Sequence, residues 1–235
     1  DDPVQAGSRS CFLPAGAFER PILGLQVMDL TRVLFIEMVA SGLAAVQDKK
    51  DELSALDSAT GDGDHGIAIC EAMSAALEAA DPDAEFKKML TDMGFAIMMK
   101  TSGSISTLLG ALFLGIANQA VANEANPAQT VSMFQSGLAN VRQQTKAGIG
   151  DKTMMDALIP AVEALEAHQG DDLPVMFARA AEAADAGRAR TENMVAKFGR
   201  ARNLGDRVIG HTDAGATSMA YIFKAFADTV ADFNK

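Results

Sequence analysis

Three carboxylates, Asp57, Asp62 and Asp64, crowd the segment Asp57-Ser58-Ala59-Thr60-Gly61-Asp62-Gly63-Asp64-His65-Gly66. Carboxylates this close repel one another unless a cation or protons neutralise them. Hard divalent cations take such oxygens, and Mg²⁺ in particular is held by a few carboxylates together with phosphates. The interleaved glycines let the backbone turn sharply and approach a ligand. The pattern is not an EF-hand: counting from Asp62, the twelfth position is Met73, where a bidentate Glu is required. An acidic turn that caps the following helix through Asp64 accounts for the same residues and stands as the competing reading.

Two other segments bear on phosphate chemistry. In Gly150-Asp151-Lys152-Thr153-Met154, Asp151 is of the type that caps a helix, and Lys152 and Thr153 either touch phosphate or face water. The upstream glycines of a Walker A loop are missing. Further on, Gly199-Arg200-Ala201-Arg202-Asn203-Leu204-Gly205-Asp206-Arg207 precedes Gly210-His211-Thr212-Asp213-Ala214-Gly215-Ala216-Thr217. Arginine suits phosphate oxygens, Asp213 suits a helix cap, and Gly215 permits close backbone approach; a long polar link with incidental charges is the plain alternative. His65 and His211, two of the 3 histidines, lie in these loops. The chain shows no hydrolase nucleophile elbow, zinc-type cluster or dinucleotide fingerprint.

These loops need elements to hold them, and the apolar spacing supplies helices. Leu30, Val33, Leu34, Met38, Leu43 and Val46 open the first one, from Met28 onward. Further segments are expected at about 66–80, 85–100, 105–122, 130–146, 152–168, 172–196 and 214–233, rich in the helix formers Ala, Met and Leu. The expectation is eight helices, no strand, and an all-α domain over 28–235. Residues 1–27, with prolines at 3, 14 and 21, read as an extended arm, linker or vector remnant. Pro160 is expected to kink its helix.

The links are of two kinds. Three are ordinary polar turns, such as Asp81-Pro82-Asp83. The other four carry the segments at 57–66, 101–104, 148–153 and 210–217. Short links favour antiparallel neighbours, and that arrangement puts all four at one end. Four helix N-termini, with free N–H groups and partial positive charge, then face a common space suited to phosphates.

Composition narrows the function classes. Of 235 residues, 49% are hydrophobic and 22% charged, and 20 basic against 31 acidic side chains leave a net −11. That balance argues against a nucleic-acid groove or an anionic membrane surface. Two cysteines, Cys11 and Cys70, fit a reducing, cytoplasmic setting. No signal peptide is visible. The uncharged stretch Thr101–Asn123 has a strongly apolar part, Leu108–Ala117, about half of the ~20 residues a span needs, so a buried central helix is expected.

Taken together, the motifs Asp57-x4-Asp62-Gly63-Asp64-His65-Gly66, Gly150-Asp151-Lys152-Thr153-Met154, Gly199-Arg200-Ala201 and Gly210-His211-x-Asp213-x-Gly215-Ala216-Thr217 resemble the nucleotide-binding L subunit of dihydroxyacetone kinases, in order and approximate spacing from Met28 to the C-terminus. The resemblance implies an eight-helix antiparallel up-down barrel with a nucleotide–metal site at one end. It implies that Asp57, Asp62 and Asp64 hold two Mg²⁺ ions bridging the phosphates of ADP or ATP. His65 and Gly66 then lie beside the phosphates, with Gly103 and Ser104 in the next loop. Met154 lies near the adenine, and Arg200, Asp213 and Gly215 complete the pocket, with Arg200 as the catalytic group. It further implies phosphoryl transfer to a small ketose held covalently on a separate K-type subunit, because no second domain of that size is present here. The donor is ATP, or bound ADP rephosphorylated by a phosphohistidine M-type protein.

Three positions depart from the family pattern. Ile105 stands where a small hydroxyl residue is usual, and Ala68 where Asn is common. The usual Asp-Pro-Gly-Ala reads Asp213-Ala214-Gly215-Ala216. An Ile105 side chain crowding the phosphate end is the basis for a second reading, a non-catalytic L-type interaction protein. A stand-alone metal-dependent phosphohydrolase is the third, resting on the acidic loop alone.

Overall fold

The computed structural model describes residues 28–100 and 103–233; the expected arm at 1–27 lies outside them. Among the described residues nine α-helices form: α1 (Arg32–Asp48), α2 (Lys50–Thr60), α3 (His65–Glu78), α4 (Phe86–Lys100), α5 (Ser104–Asn118), α6 (Pro127–Gln144), α7 (Met155–Ala167), α8 (Leu173–Arg190) and α9 (Ala214–Asp232). Two short 3₁₀ stretches, Thr191–Asn193 and Arg200–Val208, join α8 to α9. Strands β1 (Leu30–Thr31) and β2 (Glu124–Ala125) pair antiparallel, a feature absent from the sequence expectation.

Eight of the helices follow the expected pattern, and the ninth comes from a break. The first expected helix divides at Lys49, whose φ of −101° and ψ of 11° end α1. The apolar stripe runs out there: α2 buries only Leu53 and Thr60, and its first turn carries Asp51 and Glu52. Helix α6 starts earlier than expected because Asn126 and Gln129 form a reciprocal capping box, with Pro127 in the first turn. Helix α7 starts later than 152 and contains Pro160 without ending at it.

Each helix of the barrel packs on the next, and α9 closes the ring on α1. Neighbours run antiparallel: Gly110 faces Met98 while Gly94 faces Leu114, so α4 and α5 point opposite ways. The axis is filled by a chain of rings. Phe86 and Phe113 each meet Phe35 edge-on at 5.9 Å, and Phe226, Phe223, Phe134 and Phe177 continue the series. Such edge-to-face packing suits the ring quadrupoles. The uncharged α5 is buried along most of its length, from Ile105 to Ala117. No helix among the described residues is long and apolar enough to cross a membrane.

Candidate functional site

Up-down connectivity places the starts of α3, α5, α7 and α9 at one end of the barrel, as the loop argument requires. Cross-links between distant loops tie that end together. His65 bonds Ser218 at 2.9 Å, Arg200 reaches Asp62, and Lys152 reaches the carbonyl of His211 at 2.5 Å.

The three aspartates converge. Asp57 lies in the last turn of α2, Asp62 in the loop that follows, and Asp64 stands at the head of α3; one oxygen from each lies within 4.8 Å of the others. The turn is built around Asp57, whose Oδ2 accepts the Gly63 N–H at 2.8 Å and whose carbonyl accepts from Gly61. Gly63 has φ +80°, a left-handed conformation that suits glycine. Asp64 does not cap α3 with its side chain. Only its backbone carbonyl serves the helix, accepting from Ile67 and Ala68. The reading in which this carboxylate exists to cap is therefore not what the structure shows. Partial desolvation, and then the negative charges of Asp62 and Asp57, push the Asp64 carboxyl above its usual range. A hard cation relieves that repulsion, and the donor set of three carboxylates with open oxygens fits Mg²⁺.

His65 lies behind the cluster. Burial lowers its pKa, and the nearby Asp57 opposes only part of that shift. Ser218 Oγ donates to the Gly215 carbonyl at 3.0 Å, so it accepts from His65, which assigns the ring proton to Nε2. Gly66 is buried in the first turn of α3, against α2. A Cβ there would overlap the Lys50 carbonyl oxygen and lie 2.5 Å from Ser54 Oγ. Close helix packing accounts for this glycine.

Asp213 is the N-cap of α9, its Oδ2 accepting the Ala216 N–H at 2.8 Å. Burial pushes its carboxyl up to about 7, against the Ala216 N–H and the Lys152 charge, with Asp156 and Asp57 adding to the rise. The folded chain thus holds the proton more tightly than the unfolded one. The Asp213 contribution to stability is complete below the ordinary 3.8 and lost as pH rises through about 7. In metal-free protein, Asp213→Asn keeps the cap and removes this loss. Its melting temperature is expected to gain on that of the unaltered chain steadily between pH 4 and 8; a pH-independent difference would contradict the assignment. Gly215 packs on Met154, with room for a Cβ only at 3.3 Å from the Met154 Cβ and nitrogen. Met154 itself is 4% exposed.

Several expectations for the 148–154 loop change. Asp151 does not cap α7; it accepts from Gly148 at 2.8 Å and pairs with Lys197 at 2.7 Å, contacts that hold its pKa below the usual range. Asp156 does the organising, taking the Gly150 N–H at 2.6 Å and the Thr153 N–H at 2.9 Å. The spacing Thr153-x-x-Asp156 carried that signal. Lys152 neither faces water nor lies open to phosphate. It is 2% exposed, and its ammonium donates to the carbonyls of Thr191 and His211, both at 2.5 Å. Burial lowers its pKa, opposed by Asp213, Asp156 and Glu192. No local pattern marks that role, because both partners are distant in sequence.

Gly103 caps the start of α5 with φ +136°, and Ser104 is exposed in the first turn. Ile105 is 8% exposed and belongs to the hydrophobic core, so it does not crowd the phosphate end. Ile105→Ser is expected to cost about 2–4 kcal/mol of stability, as buried aliphatic truncations do, with no gain in nucleotide affinity. Thermal melting beside a binding titration checks both; tighter binding would restore the crowding idea. Arg200 opens the second 3₁₀ stretch and pairs with Asp62, and its side chain is 68% exposed.

Residues 59–228 match the DAK2 domain family. Among curated relatives, the "PEP-dependent dihydroxyacetone kinase 2, ADP-binding subunit DhaL" of Listeria innocua is 35% identical over 181 residues, 74% of this chain and 84% of that protein. The "PEP-dependent dihydroxyacetone kinase, ADP-binding subunit DhaL" of Escherichia coli is 31% identical over 207 residues, 85% of this chain and 98% of that one. The crystal structure of the dihydroxyacetone kinase from C. freundii in complex with AMP-PNP and Mg²⁺ superposes with TM-score 0.66 at 25% identity. The match covers 96% of this chain but only 38% of that enzyme.

Proposed function

Because the chain belongs to the DAK2 domain family, we propose that it is the nucleotide-binding subunit of a dihydroxyacetone-type kinase. It presents Mg²⁺-bound ADP or ATP and passes a phosphoryl group to a small ketose held on a separate K-type subunit. The observation that carries this reading is the convergence of Asp57, Asp62 and Asp64 within 4.8 Å at the end of the barrel where α3, α7 and α9 begin. The relatives named ADP-binding subunits support it across most of their own length.

The residues divide the work. Asp57, Asp62 and Asp64 hold two Mg²⁺ ions, and bound Mg²⁺ supplies charge neutralisation on the phosphate oxygens. Phosphoryl transfer is mainly positioning and charge stabilisation. His65, held neutral by burial and oriented by Ser218, adds no positive charge beside the metals. Gly66, Gly103 and Ser104 lie at helix starts whose N–H groups suit anionic phosphate. Met154 and Gly215 form an apolar floor for the base, bordered by Asp213. Arg200 leaves Asp62 to meet the charge that spreads over the transferring group, which suits a planar guanidinium.

Reconstitution tests this reading. Ketose phosphorylation is expected only when a K-type subunit is added, driven by ATP or by a phosphohistidine M-type protein, and it should stop on chelation of the metal. Nucleotide hydrolysis by the chain alone at a comparable rate would instead support a phosphohydrolase. The interaction-protein reading loses its supporting feature with the burial of Ile105.

A further inference from the structure

The segment between α8 and α9 forms a strap across the site end of the barrel, and it is fastened unequally. Its two ends meet at one buried group: the Lys152 ammonium donates to the Thr191 carbonyl on one side and the His211 carbonyl on the other, each at 2.5 Å. Around that point the Gly210 N–H donates to the Glu192 carbonyl at 2.8 Å and the Asp213 N–H to Thr191 Oγ1 at 2.9 Å. Lys152 adopts φ +59°, the one left-handed non-glycine residue described, so the backbone bends against its preference to deliver this side chain.

Away from the base the strap is fastened by cations that are themselves exposed, beside one backbone bond from the Lys197 N–H to the Asp151 carbonyl at 3.1 Å. The Lys197 ammonium bonds Gly150 O at 3.0 Å and Asp151 at 2.7 Å, and Arg200 pairs with Asp62. Lys197 and Arg200 are 62% and 68% exposed, and ion pairs made by such exposed cations hold weakly. Gly199 and Gly205 have positive φ, +64° and +57°, within this outer part, and no atom would lie near a Cβ at either. Between the buried Ala196 and Val208 the strap is therefore lightly held and bends at glycines, while the base is pinned by a buried cation. Arg200 rides on the outer part, directly beside the acidic cluster.

We propose that Lys152 is a positioning residue that pins the 191–211 strap at its base, and that it thereby sets Arg200 over the acidic cluster and slows release of nucleotide. This deepens the nucleotide-binding reading and rests on it for the release step, but the placement of the strap is testable without nucleotide. Three variants, Lys152→Met, Arg200→Ala and their combination, are made in the full chain, with Lys152→Gln, which retains a donor, alongside. Trypsin cleavage after Lys197, Arg200, Arg202 and Arg207 reports the strap. Displacement of a fluorescent ADP analogue in Mg²⁺ reports release, and far-UV circular dichroism reports the barrel.

The expected result is an unchanged helical spectrum for Lys152→Met and strap cleavage at least tenfold faster. Analogue release should be at least tenfold faster as well, with Lys152→Gln between the two. Adding Arg200→Ala to Lys152→Met should change release less than twofold, although Arg200→Ala alone speeds it several-fold. Wild-type cleavage rates in Lys152→Met, effects of the two substitutions on release that multiply, or loss of the folded barrel in both Lys152 variants would each overturn the proposal. A wild-type chain that binds no ADP analogue would instead sink the nucleotide-binding reading, with the cleavage result still deciding whether Lys152 pins the strap.

Discussion

Replacing Asp62 by alanine is expected to lower the affinity for Mg²⁺–ADP by about 100-fold or more while leaving the helical spectrum and melting temperature nearly unchanged. The two halves of this result have separate causes. Residues that only hydrogen-bond to metal ligands are already worth roughly 10–100-fold in affinity, so a direct ligand stands at or above the top of that range. Structurally Asp62 contributes little. Its side chain is 41% exposed and its ion pair is with Arg200, itself 68% exposed. Such surface pairs contribute about 0–1 kcal/mol at most. Its negative charge also raises the Asp64 carboxyl, so its removal relieves repulsion in the metal-free chain. Calorimetric titration of ADP with and without Mg²⁺, alongside thermal melting, reads both halves. Undiminished Mg²⁺-dependent binding would return the loop to an ordinary acidic turn.

A second substitution separates architecture from chemistry. Gly66→Ala adds one methyl group to a site with no space: its Cβ would overlap the Lys50 carbonyl and sit 2.5 Å from Ser54 Oγ and 3.0 Å from Ser54 N. Two of those three atoms are backbone, which cannot rotate away, so α3 must move off α2. Overpacking of this kind costs about 1–3 kcal/mol and occasionally more, and a backbone clash belongs at the upper end. For a chain of this length, 3 kcal/mol corresponds to a fall in melting temperature of roughly 6–12 °C. The displaced end of α3 carries Asp64 and His65, so Mg²⁺–ADP affinity is expected to fall as well. Scanning calorimetry and a binding titration on the same sample test the pair. Lost affinity with unchanged stability would mean that Gly66 is glycine for the ligand's sake.

The all-α ring was legible because its signals are local. Ala, Met and Leu at helical spacing give the helices, and short polar links give their alternation. The break at Lys49 was not, because it reflects α2 leaving the core surface, a tertiary fact. The acidic cluster was legible for the same local reason, with all three carboxylates supplied by eight consecutive residues, 57–64, at the α2–α3 junction. Lys152 was not, since its partners Thr191 and His211 come from far along the chain. At Ile105 loop position and helical pattern point to different roles. Its place beside the phosphate loop suggested crowding, yet Ile105, Leu109, Leu112 and Ile116 share one helical face, and that face is the core. The apolar spacing within α5 is by itself enough to assign Ile105 to the interior.

Native mass spectrometry of freshly purified protein in Mg²⁺ tests the central claim most directly. A mass increment matching ADP plus two Mg²⁺, or reversible uptake of one nucleotide with two Mg²⁺ on titration, is the expected result. Retained ADP would favour a donor that rephosphorylates it in place, and reversible ATP uptake would favour ATP itself. A bare mass that takes up neither nucleotide would contradict the account.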